Sequence, residues 1–569
     1  MNVESMFDIA RGVERAAHGT TGGRGMAGRT LGRGLSQARV DRRQVLRGMI
    51  VAGSIPPLSA ILAACTGDEA PPSQGTTGET ATGEPVRGGT LRLGTAGAAV
   101  TLDPIKSVAA SDIVVLGQLY SRLTRRSLDG TEVQPGLAES WESSEDGVTW
   151  TFNLREASFS DGSPITAEDV VFSYLRLRDQ EDSAYGGAFQ VIEEIEAVDP
   201  RTVRFTLEGP AAPFLGSTEQ FNAGIVPKAV VESLGDDRFS KNPVTSGAWQ
   251  VGEWSQGDRL VLTRNENYWR EDMPYLDSIE LTSVVKDTTR VSKLEAGEVD
   301  VVDGVPWTKI EEFIQSGQYQ VPLEPSSVIN IILLNHRDPA LSQLDVRRAM
   351  AMAIDREGIT QAVTFGHATP ANSLIPNTVE YYDPNVSPPP YDPEQARALL
   401  EGAGATGAQV TFMVGTGDGE GMQATQLMQD QLNSVGFDVS IEEVDANAWW
   451  DNLIGAEYSA TFNWWYNEVP DPDPAVRWAL CGDCGNDSYY TFYNNPQINE
   501  LTEQALFETD PEARAELYSQ IQEIAVQDVA QIPIWYQPYQ HVYQPNVRNL
   551  HMNPAIQWNW EEAWLEPSA

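Results

Sequence analysis

The chain has 569 residues, too many for one compact core, and its 41% hydrophobic content with 15 tryptophans supplies material for two or three. Its 81 acidic residues against 38 basic ones give a formal net charge of −43, which argues against a nucleic-acid-binding protein because a polyanion would be repelled. The acid excess reads as a solvated surface rather than a dedicated cation site.

The first 64 residues stand apart. They carry nine arginines and four acids through Gly48, then the run "DRRQVLRGMIVAGSIPPLSAILAAC". The apolar stretch Met49 to Ala64 is short for a membrane span of ~20 residues and contains Pro56-Pro57. An export signal over residues 1–64 fits better. Arg42-Arg43 resembles the signal of the twin-arginine route. Leu62-Ala63-Ala64-Cys65 resembles a bacterial lipobox, with Cys65 as the lipidated residue. Residues 65–87, rich in Gly, Thr and Pro, read as a flexible tether that stands the body off the outer face of a membrane.

The body begins with "GGTLRLGT", where Leu91 and Leu93 alternate with polar neighbours as in a half-buried strand. "SWESSEDGVTWTFNLR" predicts a hairpin, with Asp146-Gly147 as the turn and Val148, Trp150, Phe152 and Leu154 on one face. In "SPITAEDVVFSYLRLRD" the period changes to helical: Thr166 is the N-cap, Glu168 and Asp169 fill the first turn, and Val171, Tyr174 and Leu175 share a face. "DRLVLTRNENYW" is another alternating strand. "LDVRRAMAMAIDREGI" reads as one helix with Val346, Ala349, Met350, Ala353 and Ile354 on one stripe. Asp392 caps a helix that has Pro393 at its first position. A long helix follows "TDPEARAELYSQIQEIAVQD" and leads into the apolar strand "QIPIWY". Strands and helices mix without a fixed repeat, so the class is α/β or α+β with several lobes.

Catalytic signatures are missing: the sequence has no Gly-x-Ser-x-Gly, no His-Glu-x-x-His, and no lysine preceded by glycine as a P-loop needs. His336, His367, His541 and His551 are scattered, which favours surface or packed roles over metal ligation. Cys481 and Cys484 lack the second pair or neighbouring histidine of a zinc site. In an exported protein they read as a disulfide that pins a loop. "PDPDP", residues 470–474, reads as a stiff turn rather than a calcium loop.

Seven segments, in order, carry a family resemblance. They are "LAESWESSEDGVTWTFNLREASFSDGSPITAEDVVFSYLRLRD", "NPVTSGAWQVGEW", "LTRNENYWRE", "KLEAGEVDV", "LNHRDPALSQLDVRRAMAMAIDREGI", "YDPEQARALLEGAG" and "DPEARAELYSQIQEIAVQDVAQIPIWY". Together they resemble the solute-binding proteins of peptide-type ABC importers, solute-binding family 5 (the dipeptide, oligopeptide and nickel group), over about residues 88–545.

The resemblance implies a periplasmic-binding-protein-like class II α/β fold with two lobes and an extra inserted domain, the cluster C type. Lobe I would comprise residues 88–123, 228–327 and 541–569, the inserted domain 124–227, and lobe III 328–540. It implies a monomer without cofactor or catalysis, bound to a small solute and handing it to membrane permease subunits. It also implies ligand contacts at Trp464, Trp465 and Tyr466, with Asn467 where an aspartate would hold a free amine, and in the first lobe at Val108, Ala109 and Ala110. Asn carries no charge, so either Glu468 or Asp471 takes over or the ligand lacks that amine. Because adjacent strand residues point oppositely, one of Trp464 and Trp465 should face the core and the other the cleft. Oligopeptides are the favoured ligand class. Tandem tryptophans keep oligosaccharides open as the alternative, a metal chelate comes third, and an exported hydrolase is the reading from a different class.

Overall fold

The computed structural model describes residues 84–567 apart from Val108, Tyr185, Gly485 and Asn486. The expected leader, Cys65 and nearly all of the tether lie outside the described residues. Among the described residues, no helix is long and apolar enough to cross a membrane.

Three sheets organise the body. The first has the order Val542–Tyr543, Val301–Val302, Thr90–Thr95, Ser278–Ser283, Arg259–Arg264, Trp249–Ser255. Thr90–Thr95 runs parallel to both neighbours, with Leu91 opposite Ile279 and Leu93 opposite Val301. Leu91 and Leu93 are buried, as their alternation requires.

The second sheet has the order Thr369–Pro370, Gln531–Gln537, Val328–Leu334, Ala460–Trp465, Gln409–Gly415, Asp438–Val444. Its strand Val328–Leu334 is apolar on both faces. Ile329, Ile331 and Leu333 join one buried cluster, Ile332 and Leu334 the other. A strand covered on both sides reads as a continuous apolar run rather than an alternating one, which explains "VINIILL".

The third sheet is antiparallel, in the order Ala138–Ser143, Thr149–Leu154, Thr202–Leu207, Ile192–Asp199. Its first hairpin turns at Asp146-Gly147. Asp146 accepts from the Ser144 hydroxyl at 2.5 Å and Gly147 takes φ +71°, which glycine adopts without strain. Helix Ala167–Asp179 packs on this sheet. The Thr166 N–H and hydroxyl both donate to Asp169, at 2.9 and 2.7 Å, fixing its first turn. The buried stripe is Val170, Tyr174 and Leu177, with Val171 and Leu175 only partly covered beside it. Tyr174 and Phe205 meet edge to face at 5.0 Å, and burying such a ring stabilises by roughly 1.5–3 kcal/mol.

One expected helix is two. The run beginning at Leu344 ends at Ala353, and a second helix spans Arg356–Thr364. Asp355 causes the break: its carboxylate accepts from the Gly358 N–H at 2.9 Å, capping a new helix instead of continuing the old one.

The chain passes from the first sheet to the second after Val302, and returns after Gln537. The two connections run beside each other. Tyr539 N–H donates to the Glu324 carbonyl at 3.0 Å, and the Ser326 hydroxyl donates to the Gln537 carbonyl.

Candidate ligand-binding site

Strand Ala460–Trp465 aims its C-terminal end at the half of the molecule that carries the first sheet. Trp465 lies opposite Ile329 and Trp464 opposite Asn330. Trp465 turns inward, stacked 6.2 Å from Trp478 and edge-on to Tyr489 at 5.2 Å. Trp464 points the other way and is 49% exposed. Tyr466, buried just past the strand, stacks on Trp464 at 5.7 Å. It belongs to the same buried cluster as Met552, Ile556 and Trp558, which pack with the first sheet.

A single hydroxyl holds the next residue. Ser327 Oγ donates to the Asn467 carbonyl at 2.8 Å and accepts from the Asn467 N–H at 3.0 Å. Ser327 N–H in turn donates to the Pro554 carbonyl at 3.0 Å. The segment Trp464–Asn467 is thus fixed between a connecting segment and the first-sheet half. The side chain of Asn467 is 3% exposed, and neither its oxygen nor its nitrogen has a partner among the described residues. Leaving such an amide unpaired costs about 1–3 kcal/mol.

Ala110 opens helix Ala110–Leu119 and lines a cavity of about 470 Å³ by the parallel strands of the first sheet. Met552, Ile556 and Trp558 line it too, so Ala110 and Tyr466 approach the same aromatic and aliphatic wall. The Ala109 carbonyl is committed to the helix, accepting from Asp112 and Ile113 N–H groups at 3.0 Å each. Val108 lies outside the described residues.

Asp471 is not available to a ligand amine. Both its oxygens receive Arg514, at 2.5 and 3.0 Å, and one also accepts the Asp473 N–H at 2.9 Å. The expectation that it could replace a missing aspartate is therefore corrected: a buried guanidinium has taken the charge. Glu468 is buried and has a partner of its own. Burial pushes the Asp473 carboxyl up to about 6, although Arg477 lies at 3.1 Å and opposes the shift.

The sequence reading passed over the polar run "STEQFN" between Phe214 and Ile225. Glu219, Gln220 and Asn222 are all buried. Glu219 pairs with Arg126 through Oε1 at 2.5 Å, but its Oε2 has no partner among the described residues. The same holds for Gln220 Oε1 and both amide atoms of Asn222. Burial pushes the Glu219 carboxyl up to about 7; Arg126 and Arg122 oppose this, and the nearby Glu380 adds to it. Glu380 belongs to the second-sheet half, its N–H donating to the Pro470 carbonyl at 2.9 Å. Its side chain is solvent-reachable but crowded, and its carboxyl is raised by lost solvation and then by Asp471. The available signal was a polar stretch flanked by apolar residues on both sides.

Cys481 and Cys484 form a disulfide with Cα atoms 5.4 Å apart, around the short turn Gly482–Cys484. The histidines are separated. His336 contacts the Ala530 carbonyl at 2.9 Å, and burial lowers its pKa to about 4. His541 is lowered by burial to about 3. His367 meets Glu311 at 3.1 Å and His551 meets Glu324 at 2.7 Å. Among the described residues, no group of three or more His, Cys, Asp or Glu could hold a metal ion.

Residues 132–487 match the model of the bacterial extracellular solute-binding proteins, family 5. The chain is 29% identical over 478 residues to the probable D,D-dipeptide-binding periplasmic protein of Escherichia coli K12, covering 82% of this chain and 92% of that one. It is 27% identical over 476 residues to the glutathione-binding protein of the same strain, with the same coverage. Among solved structures it resembles the Helicobacter pylori periplasmic binding protein DppA in complex with the peptide STSA. The TM-score is 0.76 at 25% identity, covering 85% of this chain and 99% of that one. The architecture is the two-lobe class II periplasmic-binding fold. With the family model spanning more than half the sequence, the chain belongs to the bacterial extracellular solute-binding proteins of family 5.

Proposed function

We propose that this chain captures oligopeptides or peptide-like solutes outside the cytoplasm and delivers them to the transmembrane subunits of an ABC importer. The observation that carries the reading is the end of strand Ala460–Trp465. It brings Trp464, Tyr466 and the unpaired amide of Asn467 to the junction of the two halves. An extended peptide needs neutral polar partners for its amides, and the side-chain amide of Asn467 is one such group. Relatives named for D,D-dipeptide and glutathione binding support the ligand class.

No chemistry is needed for this role. Ligand binds the closed arrangement better than the open one and shifts the population toward it; a permease then recognises the closed form. The paired connections near Glu324 and Tyr539 are the natural hinge. The lobe division is 88–123, 228–327 and 541–569 for lobe I, 124–227 for the inserted domain and 328–540 for lobe III. The protein works as a monomer held to the outer face of the cell membrane through lipid on Cys65. Ligand carried through purification, identified by mass spectrometry and rebound by titration calorimetry, tests the reading. A bound peptide supports it, whereas a bound sugar would transfer it to a second reading. That second reading, an oligosaccharide, draws on the exposed Trp464 stacked on Tyr466, a flat surface suited to a sugar ring.

A further inference from the structure

Three parallel strands of the first sheet finish at one edge. Thr90–Thr95 runs parallel to both Ser278–Ser283 and Val301–Val302, so Thr95, Ser283 and Val302 end on the same side. In open α/β sheets, ligands lie in the crevice outside the carboxyl ends of such strands. The cavity of about 470 Å³ lies there: Thr95, Ser283 and Asp303 line it, together with Ala110 and Ser111 from the first turn of helix Ala110–Leu119. The buried residues that line it are apolar side chains, Leu93, Val115, Leu281 and Val301 among them, and one glycine, Gly94. Met552, Ile556 and Trp558 complete this wall and share a buried cluster with Tyr466. The same loop is held to the segment Trp464–Asn467 through Ser327, whose N–H donates to the Pro554 carbonyl at 3.0 Å and whose hydroxyl bonds Asn467. Charge occurs only in the less covered lining, as Asp258, Arg259 and Asp303. Arg259 is spent on Glu280 at 2.8 Å and Glu253 at 3.0 Å. Asp303 accepts the Ala96 N–H at 2.9 Å and lies 3.5 Å from Arg290.

We propose that this cavity receives a large apolar side chain of the solute, so that the protein selects peptides carrying an aliphatic or aromatic residue. Its volume accommodates a leucine or a phenylalanine, and its buried lining offers such a group contacts without desolvating any polar atom. An acidic side chain would meet Asp258 and Asp303 with no uncommitted cation among the charged lining residues. A basic side chain would have to give up its water against an apolar wall. Main-chain and amide contacts elsewhere hold any peptide, and this cavity adds the discrimination between side chains. The proposal rests on the peptide reading above and specifies one side chain of that ligand.

The test uses alanine peptides of three to five residues in which one position in turn becomes leucine, phenylalanine, lysine or glutamate. Titration calorimetry is run on the wild type and on Val114→Trp, which fills the cavity from the helix that lines it. At one position, leucine or phenylalanine is expected to bind the wild type about tenfold or more tighter than alanine, lysine or glutamate. Val114→Trp, checked for an unchanged far-ultraviolet spectrum, is expected to cut that preference to about threefold or less. The comparison among peptides on the wild type decides the question even where the variant fails to fold. Peptides that bind within twofold of one another at every position, or a preference for lysine or glutamate, overturn the subsite and leave the peptide reading standing. So does an apolar preference that a folded Val114→Trp leaves intact. If none of the peptides binds, both fall.

Discussion

Arg514 closes on both carboxylate oxygens of Asp471, at 2.5 and 3.0 Å, with each side chain almost wholly buried. Arg514 also donates to the Tyr518 hydroxyl at 3.2 Å and to the Ala505 carbonyl at 2.8 Å, so its donors are well used. The pair anchors the loop that follows Asn467 to helix Pro511–Gln527. Because removing one member strands the other without solvent, Asp471→Asn should cost about 3–5 kcal/mol, read as a lower urea midpoint. Replacing both, Asp471→Leu with Arg514→Met, should cost less than the sum of the single changes. An additive result would show that the two residues act separately.

The neighbouring tryptophans should part company under mutation. Trp465→Ala removes a ring packed against Trp478 and Tyr489 and should destabilise by about 3 kcal/mol. Trp464→Ala trims a half-exposed ring and should change stability by under about 1 kcal/mol while weakening ligand binding at least fivefold. Thermal melts and calorimetry separate the two effects. Equal losses of stability would contradict the assignment of Trp464 to the ligand-facing surface.

Acidity should stabilise the ligand-free protein near neutrality. Glu420, in the first turn of helix Gly419–Val435, accepts from Gln540 at 3.3 Å and is pushed up to about 7, chiefly by burial. Glu219 is likewise pushed up to about 7 and Asp473 to about 6. A raised carboxyl holds its proton in the folded state where the unfolded chain has released it. Stability therefore falls as pH climbs from the ordinary carboxyl range, about 4–4.5, through the folded values. Each group contributes on the order of 1–3 kcal/mol across that window. The melting temperature should be higher at pH 5.5 than at pH 8, and Glu420→Gln should flatten the dependence. A melting temperature that rises with pH would sink this account.

Ser327 should matter more than its size suggests. Its hydroxyl serves both the carbonyl and the N–H of Asn467, so Ser327→Ala leaves two buried main-chain groups unsatisfied. The expected cost is about 2 kcal/mol, with a parallel loss of ligand affinity because Asn467 is no longer held. A variant with normal affinity would mean that Asn467 is positioned by other contacts.

Membrane attachment is checked separately. Full-length protein expressed in a bacterial host should partition into the detergent phase of a Triton X-114 extraction, and Cys65→Ser should move it to the aqueous phase. Aqueous partition of the unaltered protein would remove the lipid anchor from the proposal.

Local signals in the sequence were legible because they act over a few residues. Thr166 and Asp392 start helices, Asp146-Gly147 turns a hairpin, and the alternation of Leu91 and Leu93 marks a strand; each appears where its local chemistry places it. The order of seven such segments was enough to point to the family. Asp355 was missed although it too is local, because an apolar stripe that continues past it hid the new cap. The stripe assigned to Val171 and Leu175 was off by about one position, since helix rotation is set by the sheet beneath and not by the helix.

What decides the site is not local. Arg514 reaches Asp471 from 43 residues away, and Ser327 reaches Asn467 from 140. Composition could not say which of 81 acids would be stripped of water, which would find a guanidinium, and which would be left with an empty acceptor. Those outcomes depend on desolvation and on partners brought together by the two crossings between sheets, and only the assembled fold fixes either. By itself, the sequence pointed to the family; the tertiary structure decided that Asp471 is spent on Arg514 and that Glu219, paired with Arg126 through one oxygen, keeps the other without a partner among the described residues.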